Sequence, residues 1–105
     1  MTVLSPRLEE ITECYLAVPR GHRHLRLALR YGDQVLILPE AVVAAIARGY
    51  VDILTHPQRR AVAFRLLKLH ERKEGFAEFQ LLESPEEEAT IAAHLARLLE
   101  QAERP

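Results

Sequence analysis

The sequence has no tryptophan, no asparagine, two lysines, two aspartates and a single cysteine. One cysteine excludes an intrachain disulfide, and a chain without disulfides suits a reducing compartment. Cys14 stands close to Glu9, Glu10 and Glu13, which disfavour a thiolate, so it reads as a small buried apolar residue. No apolar run approaches the length of a membrane-spanning helix. Met1 to Pro6 lacks a basic start leading into an apolar stretch, so no secretory leader is expected and the expected location is the cytoplasm. The scarcity of amides, with Arg over Lys by 12 to 2 and Glu over Asp by 13 to 2, suits a heat-adapted source, although a GC-rich genome gives the same bias.

Catalytic patterns are missing as well. There is no Gly-rich phosphate loop and no Gly-x-Ser-x-Gly elbow. Asp33 and Asp52, the only acids outside helix or surface positions, read as turn or solvent residues. His22 and His24 form a His-x-His pair, but His56 and His70 stand alone in turns and His94 in a helix, short of the three or four ligands zinc needs. The expectation is a non-enzymatic protein with no cofactor and no metal.

The chain has 105 residues, 49% of them hydrophobic, which suits a single globular domain over residues 1–105 and excludes disorder. Ser5-Pro6 can cap and open an N-terminal helix carrying Leu8, Ile11 and Tyr15, although Cys14 to Val18 also fits a strand. From His24 to Tyr31, Leu25, Leu27, Leu29 and Tyr31 alternate with His24, Arg26, Ala28 and Arg30, the pattern of a half-buried strand. Gly32-Asp33 then turns the chain into Val35–Leu38, which is apolar on both faces and so expected to be central. Pro39 opens a short helix over 39–48 that Gly49 closes. Strands are expected over 50–55, over 61–69 after a turn at His56-Pro57-Gln58-Arg59, and over 76–82, with a polar link at 70–75. Ser84-Pro85-Glu86-Glu87 has the form of a capping box opening a long C-terminal helix. The sum is an α+β fold: a mostly antiparallel sheet of about five strands, a short central helix and a helix at each end.

Charge is unevenly placed. Residues 20–73 carry +7, residues 74–105 carry −6 and residues 1–19 carry −2. Arg23, Arg26 and Arg30 fall on or beside one strand, Arg59 and Arg60 at a hairpin tip and Arg65 on the strand that follows. If they gather on one face they can neutralise phosphates, for which the planar guanidinium fork is suited. The leading expectation is nucleic-acid binding by a small homodimer. No outward aromatic rows accompany the arginines, so base stacking is not expected. A protein-interaction module is the alternative, with Ile91, Leu95, Leu98 and Leu99 forming an apolar stripe that meets a second chain. The bland possibility is that the arginines pair with Glu78 or with the acidic ends.

The run Gly32-Asp33-Gln34-Val35-Leu36-Ile37-Leu38-Pro39-Glu40-Ala41-Val42, with Val51-Asp52-Ile53 and Ala61-Val62-Ala63-Phe64-Arg65, resembles the AbrB/MazE/SpoVT family of swapped-hairpin domains. The resemblance covers about 40 of 105 residues, from Arg30 to Leu69. It implies a small dimer with interlaced strands that binds DNA as a transcription regulator or antitoxin, with Arg26 and Arg30 placed where that family carries DNA-contacting bases. Arg59 and Arg60 have no such counterpart. The chain departs from the family in its long Gly32-to-Pro39 spacing, in Arg48-Gly49-Tyr50 where a Gly-Asp turn is usual, and in the added strand at 76–82 and acidic final helix.

Overall fold

The structure is a computed structural model that describes residues 1–68 and 79–103. Strands β1 (Ile11–Ala17), β2 (Arg26–Tyr31) and β3 (Gln34–Pro39) are followed by helix α1 (Glu40–Thr55), strands β4 (Phe64–Lys68) and β5 (Phe79–Glu83), and helix α2 (Glu88–Glu103). The fold is α+β with antiparallel pairing throughout. The strands do not form one five-stranded sheet: β1-β2-β3 make a three-stranded sheet and β4-β5 a separate two-stranded one. Leu69, the link at 70–75 and residues 76–78 of the expected last strand lie outside the described residues.

The β2–β3 hairpin follows the alternation of its sequence. Gly32 takes φ 58° at the first central turn position, and Asp33 does not take a positive φ, the arrangement of a type II′ turn. Tyr31 therefore faces Gln34, and the register continues through Leu29↔Leu36 and Leu27↔Leu38. On the other side β1 sets Cys14 opposite Leu29 and Leu16 opposite Leu27. Directly opposed residues share a face, so Cys14, Leu16, Leu27, Leu29, Leu36 and Leu38 line one side. Glu13, Tyr15, Arg26, Ala28, Arg30, Val35 and Ile37 line the other. The strand expected to be central, Val35–Leu38, is an edge of the sheet among the described residues, with Val35, Leu36 and Ile37 exposed.

Helix α1 corrects two expectations. It runs from Glu40 to Thr55, so Gly49 does not stop it and residues 50–55 are not a strand. Ile46, Tyr50 and Leu54 recur every four residues, and the Thr55 hydroxyl donates to the Val51 carbonyl at 2.8 Å, closing the last turn. Gly49 has a different purpose. It is buried, and a Cβ there would stand 2.8 Å from Val62 Cγ1 and 3.2 Å from Phe64 Cε2. Glycine lets the chain entering β4 lie directly on the helix backbone. Pro39 ends β3 and caps α1 from the extended region, with Glu40 first in the helix.

At the N-terminus only Leu8–Glu10 is helical, as one 3-10 turn, and Ile11 onward is strand in place of the expected helix. Glu13 is the single charge of β1, and Glu13 and Tyr15 alternate with Cys14 and Leu16 across its two faces. At the other end α2 begins at Glu88, not Pro85, and its first bond is Ile91 N–H to the Glu87 carbonyl at 3.1 Å. Ser84 caps nothing. It is buried, its backbone N–H donates to the Ala63 carbonyl at 2.8 Å, and its hydroxyl has no partner among the described residues. The backbone bond holds the end of β5 against the approach to β4, and that junction wins over the capping box.

Little of the chain is covered. Ala45 and Ala61 are the buried hydrophobic residues, and among the described residues no large side chain is fully buried. Cys14, expected inside, is exposed, since no element of the described residues covers its part of the sheet. The radius of gyration is 16.2 Å, against about 13 Å for a folded domain of this length. The accessible surface of 9192 Å² is half as much again as the roughly 6,000 Å² of a folded 12.0 kDa monomer.

Candidate functional site

The six candidate arginines do not converge in the single chain. Arg26 and Arg30 share a face of β2, while Arg23 lies in the exposed loop before it. Arg26 borders the start of α1 with His24, Pro39 and Glu40, and its guanidinium donates to the neighbouring Leu25 carbonyl at 3.2 Å. Arg59 and Arg60 follow the far end of α1, so a helix of 16 residues, about 24 Å of rise, stands between the two groups. Acids engage half of the set. Arg30 meets Glu13 of β1 at 3.9 Å, Arg59 lies 3.7 Å from Asp52 and also pairs with Glu83, and Arg65 pairs with Glu86. Two of those carboxylates come from the acidic segment around residue 84. Arg23, Arg26 and Arg60 have no carboxylate of the described residues within 4.0 Å.

Other polar groups are engaged locally. Glu40, at the positive end of α1, accepts from the Leu25 N–H at 3.4 Å and lies 3.2 Å from His24 Nδ1. His24 is thus tied to the helix start rather than to His22. Among the described residues, no three His, Cys, Asp or Glu side chains come together as a metal set. Hydrogen bonding to the Glu13 carboxylate pushes the Tyr15 phenol above its usual 10.0; desolvation and the charge of Glu13 add to this and Arg30 opposes it. A cleft of about 560 Å³ between α1 and β5 holds Arg48, Asp52 and Glu83, with Asp52 and Glu83 already held by Arg59.

The larger uncommitted feature is apolar. Leu16, Leu36, Tyr15, Val35 and Ile37 are exposed on the two faces of the three-stranded sheet. Ile46, Tyr50, Val51 and Leu54 are exposed along α1, and Leu66, Leu67 and Leu82 on the two-stranded sheet. A groove of about 520 Å³ opens beside β3, lined by Leu4, Pro6, Ile11, Leu29, Tyr31 and Leu36 among others, and the buried Tyr31 hydroxyl has no partner among the described residues. Of the expected interface stripe on α2, Ile91, Leu95 and Leu99 line a shallow groove with Ile53, Ala61 and Val62, whereas Leu98 is half-buried and lies outside that lining. Leu95 and Leu99 stay substantially exposed. Sequence patterning placed β3 as a central strand rather than an exposed edge, and it did not single out the outer stripe of α1. The signal for β3 was present in the absence of any charge from Gln34 to Pro39. No helix among the described residues is long and apolar enough to cross a membrane. The chain matches no family model, no curated protein and no solved structure.

Proposed function

We propose that this chain is a protein-interaction module that works as a subunit of a homo-oligomer, its apolar faces completed by further copies. The observation that carries this reading is the unburied apolar surface: every large hydrophobic side chain among the described residues keeps contact with solvent. A surplus of about 3,000 Å² per chain, or about 6,000 Å² over two chains, lies at or above the upper end of what obligate interfaces bury and well beyond a transient encounter. Monomeric soluble proteins rarely leave such patches open. Light scattering across a range of concentrations tests the reading. The expected result is a mass of two chains or a higher multiple that persists at micromolar concentration; a mass of one chain throughout overturns it.

A second reading, nucleic-acid binding, is favoured by Arg26 beside the start of α1 and Arg23 in the exposed loop before β2, neither with a carboxylate of the described residues within 4.0 Å. A two-fold axis would double that pair. Binding to duplex DNA should weaken steeply as salt rises, and Arg23→Ala/Arg26→Ala should flatten the slope by roughly the number of phosphate contacts removed. Arg59→Ala and Arg65→Ala should leave the slope unchanged, because their charge is matched within the chain. No binding at low salt ends this reading.

A further inference from the structure

The three-stranded sheet has two edges that differ sharply. Along β1 the register shifts between Ile11 and Glu13, Glu13 carries a charge that meets Arg30, and the Thr12 hydroxyl donates to the Arg30 carbonyl at 3.3 Å. A bulge and an edge charge are the devices by which natural sheets block further pairing. Strand β3 has neither. From Gln34 to Leu38 it carries no charge and its register against β2 is unbroken, and Val35, Leu36 and Ile37 are 59%, 53% and 61% exposed. Pro39, at its very end, is the one residue there that resists pairing.

The direction of the free backbone groups follows from the hairpin. Tyr31 and Gln34 close a two-residue loop as a hydrogen-bonded pair, so Leu36 and Leu38 also turn their N–H and C=O toward β2. Val35 and Ile37 turn theirs to the open edge. These two positions flank Leu36 symmetrically. When a second β3 approaches antiparallel about a two-fold axis through Leu36, Val35 exchanges both backbone bonds with Ile37 of the other copy, and Ile37 does the same with Val35. Leu36 then faces Leu36 in the closer, non-bonded kind of pair. All six side chains so brought together are β-branched or leucine, which suits cross-strand contact. Such a contact is closed and self-complementary, as a two-fold interface must be.

We infer that β3 pairs with β3 of a second copy across its open edge, joining the two three-stranded sheets into one continuous six-stranded sheet. This rests on the homo-oligomer reading and names the surface through which the copies meet. The surplus area per chain argues for a second copy as occupant, and the uncharged, symmetric edge argues against a charged peptide. The neighbouring groove, with Leu36 in its wall, lies on the same side and is covered further as the sheets join.

Two variants and the unmodified protein test this together. In Ile37→Pro the lost N–H points to the open edge, so the bonds to β2 are kept while two bonds between copies disappear. The dimer Kd should rise about a hundredfold, with far-ultraviolet circular dichroism unchanged. Should that variant not fold, the second variant decides. Leu36→Cys in a Cys14→Ser background should oxidise to a covalent dimer, since the two sulfurs meet at the axis, whereas Gln34→Cys in the same background should not. An unmodified chain that self-associates, with neither effect seen, overturns the edge pairing and leaves the homo-oligomer reading standing. An unmodified chain that stays monomeric overturns both. If Leu95→Glu/Leu99→Glu splits the oligomer while Ile37→Pro does not, the contact is through α2 and the edge pairing fails.

Discussion

The two sheets of this protein are tied to the rest of the chain to different extents. Around β4 and β5 the chain satisfies itself: Arg59 joins the end of α1 to β5 through Asp52 and Glu83, Arg65 joins β4 to Glu86, and Gly49 and Ala63 take the backbone of the approaching strands. Around β1, β2 and β3 the links are Glu13 with Arg30 and Glu40 with His24 and Leu25, and Tyr15, Leu16, Val35, Leu36 and Ile37 remain exposed across the two faces. Exposed ion pairs are each worth about 0–1 kcal/mol. The C-terminal part is therefore kept in register by several small ties and one close backbone contact, and the N-terminal sheet mainly by its ladder, with Glu13–Arg30 and Glu40 at its margins. Such a sheet gains most from a neighbour, because apolar burial of about 25 cal/mol per Å² is still available to it. Stability and association should thus be separable by mutation, the first concentrated where α1 meets β4 and the second along β3.

The largest effect on stability is expected at Gly49. Gly49→Ala places a methyl 2.8 Å from Val62 Cγ1, a branched carbon that cannot swing aside. Overpacking of this kind costs about 1–3 kcal/mol, which outweighs the gain of up to about 1 kcal/mol from a better helix former. Denaturant unfolding should show the loss with the oligomeric mass unchanged. Combining Gly49→Ala with Val62→Ala should remove the clash, so that in the Val62→Ala background the same change becomes neutral or stabilising. A cost that persists in that background would mean that the methyl meets something other than Val62.

The same position shows where sequence stopped being sufficient. The β2–β3 hairpin was legible because both of its signals are local: alternation along Leu25, Leu27, Leu29 and Tyr31, and a Gly-Asp turn of fixed length. Gly49 also gives a local signal, that of a helix stop, but its use is set by Val62 and Phe64, which are remote in sequence. Once it is read as a stop, Tyr50 to Thr55 become a strand by default, since Tyr, Val, Ile and Thr all favour one. Val35–Leu38 was misplaced for a related reason. A run apolar on both faces favours a strand covered on both, but its place in the sheet order is set by pairing with remote strands. The arginines repeat the lesson in charge: their strand positions were visible, while Glu83 and Glu86 could be matched to Arg59 and Arg65 only once the sheets were paired.

A smaller effect separates local from long-range signals at the start of α2. Ser84-Pro85-Glu86-Glu87 has the spacing of a capping box, and a serine that caps loses about 1 kcal/mol when changed to alanine. In the fold, Ser84 is 6% exposed, its hydroxyl has no partner among the described residues, and its backbone N–H is committed to Ala63. Alanine keeps that backbone bond and removes an unsatisfied buried hydroxyl. Ser84→Ala should therefore be neutral or stabilising by up to about 1 kcal/mol, read as a denaturation midpoint that stays or rises at constant slope. The sign decides which force holds the turn between the sheet and the last helix. A loss would put the serine back in the cap and weaken the contrast between a tied C-terminal part and an open N-terminal one. A gain would mean that the junction with Ala63 is made by the backbone, with the side chain tolerated only because a larger one would not fit.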